Sequence, residues 1–409
     1  MSDISFIHAA DLHLDSPFKG LSHLPEAIFQ KVKDSTFEAL DLLVKRAIDK
    51  QVDFLLLVGD LFDNEKQSLK AQVRLRNAFE ELKRHDISVY LSYGNHDFTR
   101  GNSHPVTYPD NVFIFPDERV THFIYQKNGV GKTAIYGFSY ENRSVTEKKA
   151  DEYEIISGDI PYHIAMLHGS LYSNTEHDVY APFRLSDLTD KSFDYWALGH
   201  IHQREVIKKD PPVVYPGNIQ GRTSKEVGKK GCYHVELSHH GVSMTFLPLQ
   251  SLEFNKRTVD ISECDELHQL ESVVLRTVTD NGVNAGPELL QLIISGVPSK
   301  LEEWESSLDE VIQLVNETVM HHRDWKYIYR YSIEQALTEN YEGLAEGEHF
   351  VGELLRHADS VSIQPYLTEL YQHKRAKKYL ETISLEEENQ MKQKAKRLLV
   401  HELLNGGGE

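Results

Sequence analysis

Five short motifs in the first half of the chain carry residue types that could bind metal ions. Their carboxylate, amide and imidazole groups offer oxygen and nitrogen ligands, and they contain no cysteine. Such ligands suit divalent cations, of which we expect manganese first, ahead of iron or zinc. The motifs are Asp11-Leu-His13, Gly59-Asp60, Gly94-Asn-His-Asp97, His168-Gly169 and Gly199-His-Ile-His202. They predict a centre of two cations bound by Asp11, His13, Asp60, Asn95, His168, His200 and His202.

The charge balance of this centre decides whether it would attract a phosphate. Two divalent cations bring four positive charges, and Asp11 and Asp60 neutralise only two of them, because Asn95 and the histidines bind metals as neutral ligands. A net positive centre can hold a phosphodiester oxygen and polarise a water molecule for attack on phosphorus. The pattern therefore predicts phosphoester hydrolysis.

Three residues of the motifs have more specific expected roles. Asp60 follows a buried apolar run and a glycine, and we expect its carboxylate to bridge the two cations. His96 adjoins Asn95, and consecutive residues of a turn point in different directions, so we predict that His96 contacts the substrate, where it could orient the phosphate or donate a proton to the leaving oxygen. Asp97 is predicted to act with His96 by fixing its tautomer and raising its pKa.

The pattern of strands and helices that must position these motifs predicts an α/β fold. Apolar periodicity in the first hundred residues predicts the order β-α-β-α-β, with strands and helices at 5–10, 37–48, 52–58, 69–84 and 87–93. Each motif comes where a predicted strand gives way to a loop. Because the carboxyl ends of strands in such sheets face one edge, all five motifs can converge there.

The remainder of the chain divides by its pattern into further units. A strand-rich part extends to Leu249, with strands predicted at 112–115, 133–137, 162–167, 195–198 and 231–237. A second α/β unit begins near Ser251, and the residues after 346 are rich in helix signals, including a capping box at Ser384 and Glu387. We therefore predict three domains: 1–250, 251–338 and 339–409.

Composition limits the setting in which the protein works. The formal net charge is −19, so nucleic acid would be repelled at long range and any contact with it must be local. The two cysteines, Cys232 and Cys264, lie in unrelated contexts, which fits a reducing compartment. The N-terminus lacks a signal-peptide pattern and no apolar run could cross a bilayer. These features predict a cytoplasmic protein without a membrane partner.

The order of the five motifs resembles that of the calcineurin-like metallophosphoesterases. It is most similar to their branch of DNA repair nucleases, of the SbcD-like and YhaO-like kind. The resemblance covers about Ile4 to Leu237 by motif and extends by layout over the unit that follows. The segment Tyr215-Pro-Gly-Asn218 also resembles a loop of that branch, in which many members have serine where this chain has Asn218.

The resemblance implies a fold and a function. It implies a four-layer β-sandwich flanked by helices, a small α/β capping domain and a helical C-terminal region. One metal would take Asp11, His13, Asp60 and His202, and the other Asp60, Asn95, His168 and His200, with His96 as the catalytic histidine. It also implies DNA as substrate, a coiled-coil ATPase of the SMC type as partner, and a homodimer. The run Leu385–Leu404 could bind that partner or pack in an intramolecular bundle.

Several alternatives remain open at this point. The basic cluster Arg222, Lys225, Lys229 and Lys230 could contact phosphate or form a solvated face. The substrate could be a phosphoester other than DNA, although Asn64 follows Asp63 where phosphoprotein phosphatases carry a phosphate-clamping arginine. The protein could also be a scaffold that binds DNA ends without catalysis. The remaining histidines, among them His8, are expected to be structural or solvated.

Overall fold

The computed structural model describes most of the chain and confirms an α/β fold with sheets flanked by helices. It describes residues 3–63, 67–100, 106–156, 159–172, 180–280, 286–296, 298–335 and 350–362, with short pieces at 365–366, 388–389, 391–392 and 395–396. Within these residues the chain forms two six-stranded sheets and one three-stranded sheet. No helix among them is long and apolar enough to cross a bilayer.

The described strands, in chain order, have the following bounds. They are β1 (Ile4–Ala10), β2 (Phe54–Val58), β3 (Ser88–Ser92), β4 (Val112–Ile114), β5 (Thr121–Lys127), β6 (Val130–Gly137), β7 (Tyr162–His168), β8 (Tyr195–Gly199), β9 (Glu205–Lys209), β10 (Pro212–Tyr215), β11 (Gly231–Ser238), β12 (Gly241–Pro248), β13 (Glu253–Asp260), β14 (Glu288–Gly296) and β15 (Lys326–Gln335). The helices are α1 (Glu26–Lys50), α2 (Leu69–Arg84), α3 (Leu185–Thr189), α4 (Leu267–Thr279), α5 (Pro298–Val319) and α6 (Phe350–Ser360).

Two sheets pack face to face and enclose the central core. Their strand orders are β12-β11-β1-β2-β3-β4 and β5-β6-β7-β8-β10-β9. Strand β2 is buried along its whole length because both of its faces are covered. Phe54, Leu56 and Val58 face the second sheet, whereas Leu55 and Leu57 pack under α1 and α2. The continuous apolar run in the sequence is thus explained by burial on both sides.

Helix α1 is longer than the sequence pattern predicts. The predicted range 37–48 is the part of α1 that packs on the first sheet, but the helix begins at Glu26, directly after Pro25. Its first turns bury Ile28 and Val32 in a different cluster, away from that sheet. Because the two halves of the helix bury different faces, one periodicity window does not cover both. The edge strands β5 and β9, which are only half-buried, were also missed.

The third sheet, β13-β14-β15, is parallel and is covered by α4 and α5, as the sequence predicts for the second α/β unit. Leu252, Phe254 and Trp325 pack against Phe18 and Ile28, which joins this sheet to the start of α1. The division into domains at 250/251 stays a prediction, and the one at 338/339 lies outside the described residues. The capping box at Ser384 and Glu387 and most of Leu385–Leu404 also lie outside them.

Candidate metal centre

The predicted ligands all lie at the carboxyl ends of strands in the two packed sheets. Asp11 and His13 follow β1, Asp60 follows β2, and Asn95 follows β3, which are neighbouring parallel strands of the first sheet. His168 ends β7, and His200 and His202 follow β8, its parallel neighbour in the second sheet. The strand pattern predicts that the motifs converge at one sheet edge; in the structure they are divided between two sheets, and the packing of the sheets brings the strand ends together.

One group of ligand atoms comes from Asp11, His13 and His202. These atoms lie within 4.8 Å of one another. The Nε2 atoms of His13 and His202 are 3.0 Å apart. The side chains of Asp11 and His13 are fully buried, while His202 is partly exposed. Two imidazole nitrogens and a carboxylate thus face one point. This group of ligands is open to solvent on the side of His202.

A second group comes from Asp60, His168 and His200, again with ligand atoms within 4.8 Å of one another. The side-chain oxygen of Asn95 lies beside it, 3.0 Å from His168 Nε2 and 3.2 Å from His200 Nδ1. His168 Nδ1 is 3.0 Å from the main-chain oxygen of Val58. Because a carbonyl oxygen can only accept, Nδ1 donates to it, and Nε2 is the ring nitrogen that faces Asp60 and Asn95 and would bind a metal.

Asp60 lies between the two groups. Its Oδ2 atom is 3.5 Å from His168 Nε2 and 3.8 Å from His13 Nε2. Its Oδ1 atom accepts a 3.0 Å hydrogen bond from the main-chain N–H of His96. One buried carboxylate therefore reaches both groups, which is the geometry that a bridging ligand requires.

The backbone at the ligands is held in a conformation that L-residues rarely adopt. Asp11, His13, Asp60 and His200 have φ of 52°, 42°, 50° and 95°. Such positive φ values in residues other than glycine cost free energy and cluster at functional sites. The space beneath the ligands is also tight, since a Cβ at Gly94 would lie 2.3 Å from Asp60 Oδ1.

The buried charged groups of the centre shift one another's pKa values. Burial raises the pKa of Asp11. Burial also opposes ionisation of both Asp60 and His168, but their attraction for each other prevails: the pKa of Asp60 falls well below its usual range, and that of His168 rises to about 9. Burial, assisted by the nearby charge of Arg222, holds the pKa of His13 well below its usual range.

These residues fit two divalent cations. Each group offers imidazole nitrogens together with a carboxylate oxygen, the donor set on which the sequence prediction rests. The atom of His13 that faces the other ligands is Nε2, 3.0 Å from His202 Nε2 and 3.8 Å from Asp60 Oδ2.

The structure corrects the predicted pairing of His96 with Asp97. The Nδ1 atom of His96 lies 2.8 Å from the main-chain oxygen of Asp63 and therefore donates to it. The Asp97 carboxylate instead accepts hydrogen bonds from the N–H groups of Leu61 (2.6 Å) and Gly94 (2.7 Å). Asp97 thus joins the loops after β2 and β3, and adjacency in sequence was a poor guide to the partner of His96.

His96 nevertheless lies at the centre. Its ring centroid is 5.0 Å from that of His13, and the ring is partly exposed. Because Nδ1 donates to Asp63, the Nε2 atom is the one left for a substrate.

A network around the centre escaped the sequence analysis. Glu226 Oε1 is 2.7 Å from His202 Nδ1, and Arg222 forms an ion pair with Asp63. Burial raises the pKa of Glu226, but hydrogen bonding to His202 and the charge of Arg222 outweigh it and hold the pKa well below its usual range. The available signal was that Glu226 is the only acidic residue within the basic cluster 222–230.

The basic cluster divides into two pairs. Arg222 points inward at Asp63, and Lys230 is buried and donates to the main-chain oxygen of His202 at 3.0 Å. Lys225 and Lys229 are exposed. Neither alternative from the sequence describes the whole cluster, because half of it is structural support for the centre.

His8, a histidine outside the motifs, has structural contacts. His8 is fully buried, 3.0 Å from both the Tyr195 hydroxyl and the Leu198 main-chain oxygen, and burial lowers its pKa to about 3. It is therefore a neutral core residue, as expected.

Comparison with known proteins agrees with this geometry. Residues 4–204 match the family described as calcineurin-like phosphoesterase. The chain is 38% identical over 406 residues to the uncharacterized metallophosphoesterase YhaO of Bacillus subtilis, covering 98% of each chain. It is 28% identical over 252 residues to the DNA double-strand break repair protein Mre11 of Methanocaldococcus jannaschii, covering 59% of this chain and 64% of that one. A protein of the same name from Sulfolobus acidocaldarius is 23% identical over 350 residues, covering 82% and 85%.

Proposed function

This chain belongs to the calcineurin-like phosphoesterase family, and from that premise we propose that it is a two-metal-dependent phosphodiesterase that cuts DNA. The observation that carries the proposal is the position of Asp60, whose one carboxylate lies between two groups of metal-ligand type. Similarity to proteins named for DNA double-strand break repair supports DNA as the substrate. The proposed metal ligands are the seven residues predicted from the sequence.

The residues of this chain divide the work among themselves. When bound, the two cations would activate water and neutralise charge on the phosphodiester. Asp60 holds the two sites together, and its Oδ1 atom fixes the loop that carries His96. His96 Nε2 faces the substrate, where it can bind a phosphate oxygen or deliver a proton to the leaving oxygen. Asp97 is a positioning residue that keeps the loops after β2 and β3 together.

We propose manganese as the native metal, since the site mixes carboxylate, amide and imidazole ligands without thiolate. The protein would act in the cytoplasm, as the hydrolytic subunit of a DNA repair complex. A net charge of −19 opposes long-range attraction to DNA, which favours delivery of the substrate by a partner. The proposed partners are a coiled-coil ATPase of the SMC type and a second copy of this chain.

One observation favours a second candidate function, the hydrolysis of a phosphoester other than DNA. The sequence lacks an arginine directly after Asp63, but the structure brings Arg222 to Asp63 from a distant part of the chain. A guanidinium there could bind a terminal phosphate. A scaffold without catalysis is disfavoured, because all seven ligand-type residues are present and converge.

The test incubates the protein with manganese and labelled linear, hairpin and single-stranded DNA, beside a chromogenic phosphomonoester. We expect DNA cleavage that a chelator abolishes and that His96→Ser and Asp60→Ala reduce by on the order of 10²-fold or more. Hydrolysis of the monoester alone would reject the nuclease and favour the second candidate. Metal uptake without hydrolysis of any substrate would favour the scaffold.

A further inference from the structure

Glu226 is a partly buried residue whose carboxylate contacts the metal centre without belonging to it. Its side chain is 14% exposed. One oxygen, Oε1, lies 2.7 Å from His202 Nδ1. The other, Oε2, accepts hydrogen bonds from Asn218 Nδ2 at 2.8 Å and from the main-chain N–H of Arg222 at 2.7 Å. Both oxygens of the carboxylate are therefore used.

These contacts determine which nitrogen of His202 carries a proton. An ionised carboxylate only accepts, so His202 donates from Nδ1, and in the neutral ring its Nε2 atom has the lone pair. That atom lies 3.0 Å from His13 Nε2, inside the group formed with Asp11. Histidines that bind metals commonly donate their second ring nitrogen to a carboxylate in this way.

Residues 217–230, the segment that contains Glu226, also hold the main chain of His202. Lys230 Nζ donates to the His202 main-chain oxygen at 3.0 Å, and the N–H of Asn218 approaches that oxygen at 3.4 Å. A Cβ at Gly217 would lie 2.7 Å from it, so the turn packs directly against His202. Ring and backbone of one histidine are thus fixed by residues 217–230.

From this geometry we infer that Glu226 is a positioning residue, which fixes the tautomer and orientation of His202 and thereby the affinity of one of the two metal sites. The inference rests on the proposed two-metal function. Glu226 is inferred to affect the metal site that contains Asp11, His13 and His202. The site that contains His168 and His200 should not depend on Glu226. Loss of such an outer carboxylate typically weakens metal binding by about 10- to 100-fold.

The variant Glu226→Gln tests the inference because a glutamine has one oxygen and one NH₂ group. Its oxygen would satisfy the two donors Asn218 and Arg222, which turns the NH₂ group toward His202 Nδ1. The ring must then accept at Nδ1 and carry its proton on Nε2, where the proton blocks metal binding. Nitrogen NMR of the metal-free protein, with His202→Ala to assign the signal, should show this change of tautomer.

Titration of chelator-treated protein with Mn²⁺ supplies the second measurement. We expect two sites in the wild type and, in Glu226→Gln, one site weakened about 10- to 100-fold with the other unchanged. Glu288→Gln is the matched control, since Glu288 is also a glutamate whose carboxylate has partners on both oxygens, Arg257 and Lys326, but lies in the third sheet. It should leave both sites as they are.

The outcomes separate this inference from the proposed function. Two wild-type sites that Glu226→Gln leaves unchanged, together with an unaltered His202 tautomer, overturn the inference alone. A wild type that takes up no Mn²⁺ overturns the proposed function and the inference with it. If Glu226→Gln does not fold, Asn218→Ala replaces it: this variant keeps the carboxylate but removes one of its donors, and it should weaken the same site by a smaller factor.

Discussion

The Nε2 atoms of His13 and His202 lie 3.0 Å apart, although 189 residues separate them in the chain. His13 follows β1 of the first sheet and His202 follows β8 of the second. The contact therefore exists only while the two sheets are packed on each other. The apolar core between them, and no local motif, is what sets the distance between the metal ligands.

Asp60→Asn is expected to disrupt both metal sites at once. The Asp60 carboxylate places a negative charge between the two groups of ligands. An amide of the same shape carries no charge, so the repulsion between the two bound cations is no longer offset. We expect loss of at least one equivalent of bound manganese and a fall in hydrolysis on the order of 10³-fold. Metal titration and the DNA cleavage assay measure the two effects.

The matched control for this variant is Asp53→Asn. Asp53 directly precedes β2, whereas Asp60 follows this strand at its other end. The Asp53 carboxylate accepts hydrogen bonds from Ser5, Tyr125 and Lys127. It should change stability and leave metal binding intact. Equal metal binding by wild type and Asp60→Asn would refute the bridging role.

Much of the site could be predicted because strands dictate where their loops lie. Strand β2 reads as a continuous apolar run, so Asp60 had to follow a buried strand, and parallel pairing places its end beside Asp11 and Asn95. Helix α2 was predicted at its observed bounds, since it lies on the surface of one sheet and keeps one periodicity.

The outer residues could not be predicted for a physical reason. Hydrogen bonds such as that between His202 and Glu226 depend on the path of an irregular loop, for which no periodicity exists. The partner of His96 is a main-chain oxygen, that of Asp63, and every residue carries such an oxygen. Side-chain identity therefore says nothing about it, and the neighbouring Asp97 was chosen wrongly.

Metal affinity should fall as the pH is lowered from about 9. In the metal-free protein the pKa of His168 is raised to about 9, because attraction to Asp60 outweighs burial. At pH 7 the ring is then protonated, whereas a metal requires its neutral form, so binding must release that proton. Apparent affinity for the site should rise about tenfold per pH unit until the pH reaches that pKa.

Calorimetric titration at pH 7 in two buffers of different ionisation enthalpy counts the released protons. We expect about one proton from His168 when its site fills. A binding enthalpy that does not depend on the buffer would contradict the prediction.

Asp97→Asn should destabilise the protein more than it alters the chemistry. The carboxylate accepts from Leu61 and Gly94, and the NH₂ group of asparagine would face one of these two N–H donors. One buried donor is then left without a partner, which costs about 1–3 kcal/mol. Thermal unfolding should show a lower midpoint. An unchanged unfolding midpoint, together with a shifted pH profile of hydrolysis, would contradict this prediction. That result would support the original hypothesis that Asp97 acts directly on His96.

Arg222→Gln should reduce turnover while both metals remain bound. Arg222 forms an ion pair with Asp63, and its Nη1 atom is 3.3 Å from the hydroxyl of Ser16. Without that pair, Asp63 loses its cationic partner and keeps the hydrogen bond from Ser16, so its position can shift. Its main-chain oxygen is the partner that orients His96. A displacement of about 1 Å at a catalytic group can cost on the order of 10²-fold in rate.

The effect of Arg222→Gln should therefore appear in kcat for DNA cleavage, with the manganese stoichiometry unchanged. Lys225→Gln is the control, since Lys225 belongs to the same segment but is exposed to solvent. It removes the same charge and should leave kcat unaltered. If both variants slow cleavage equally, and added salt slows the wild type in the same manner, then Arg222 acts as part of a general electrostatic field. Its contact with Asp63 would then have no particular role in placing His96.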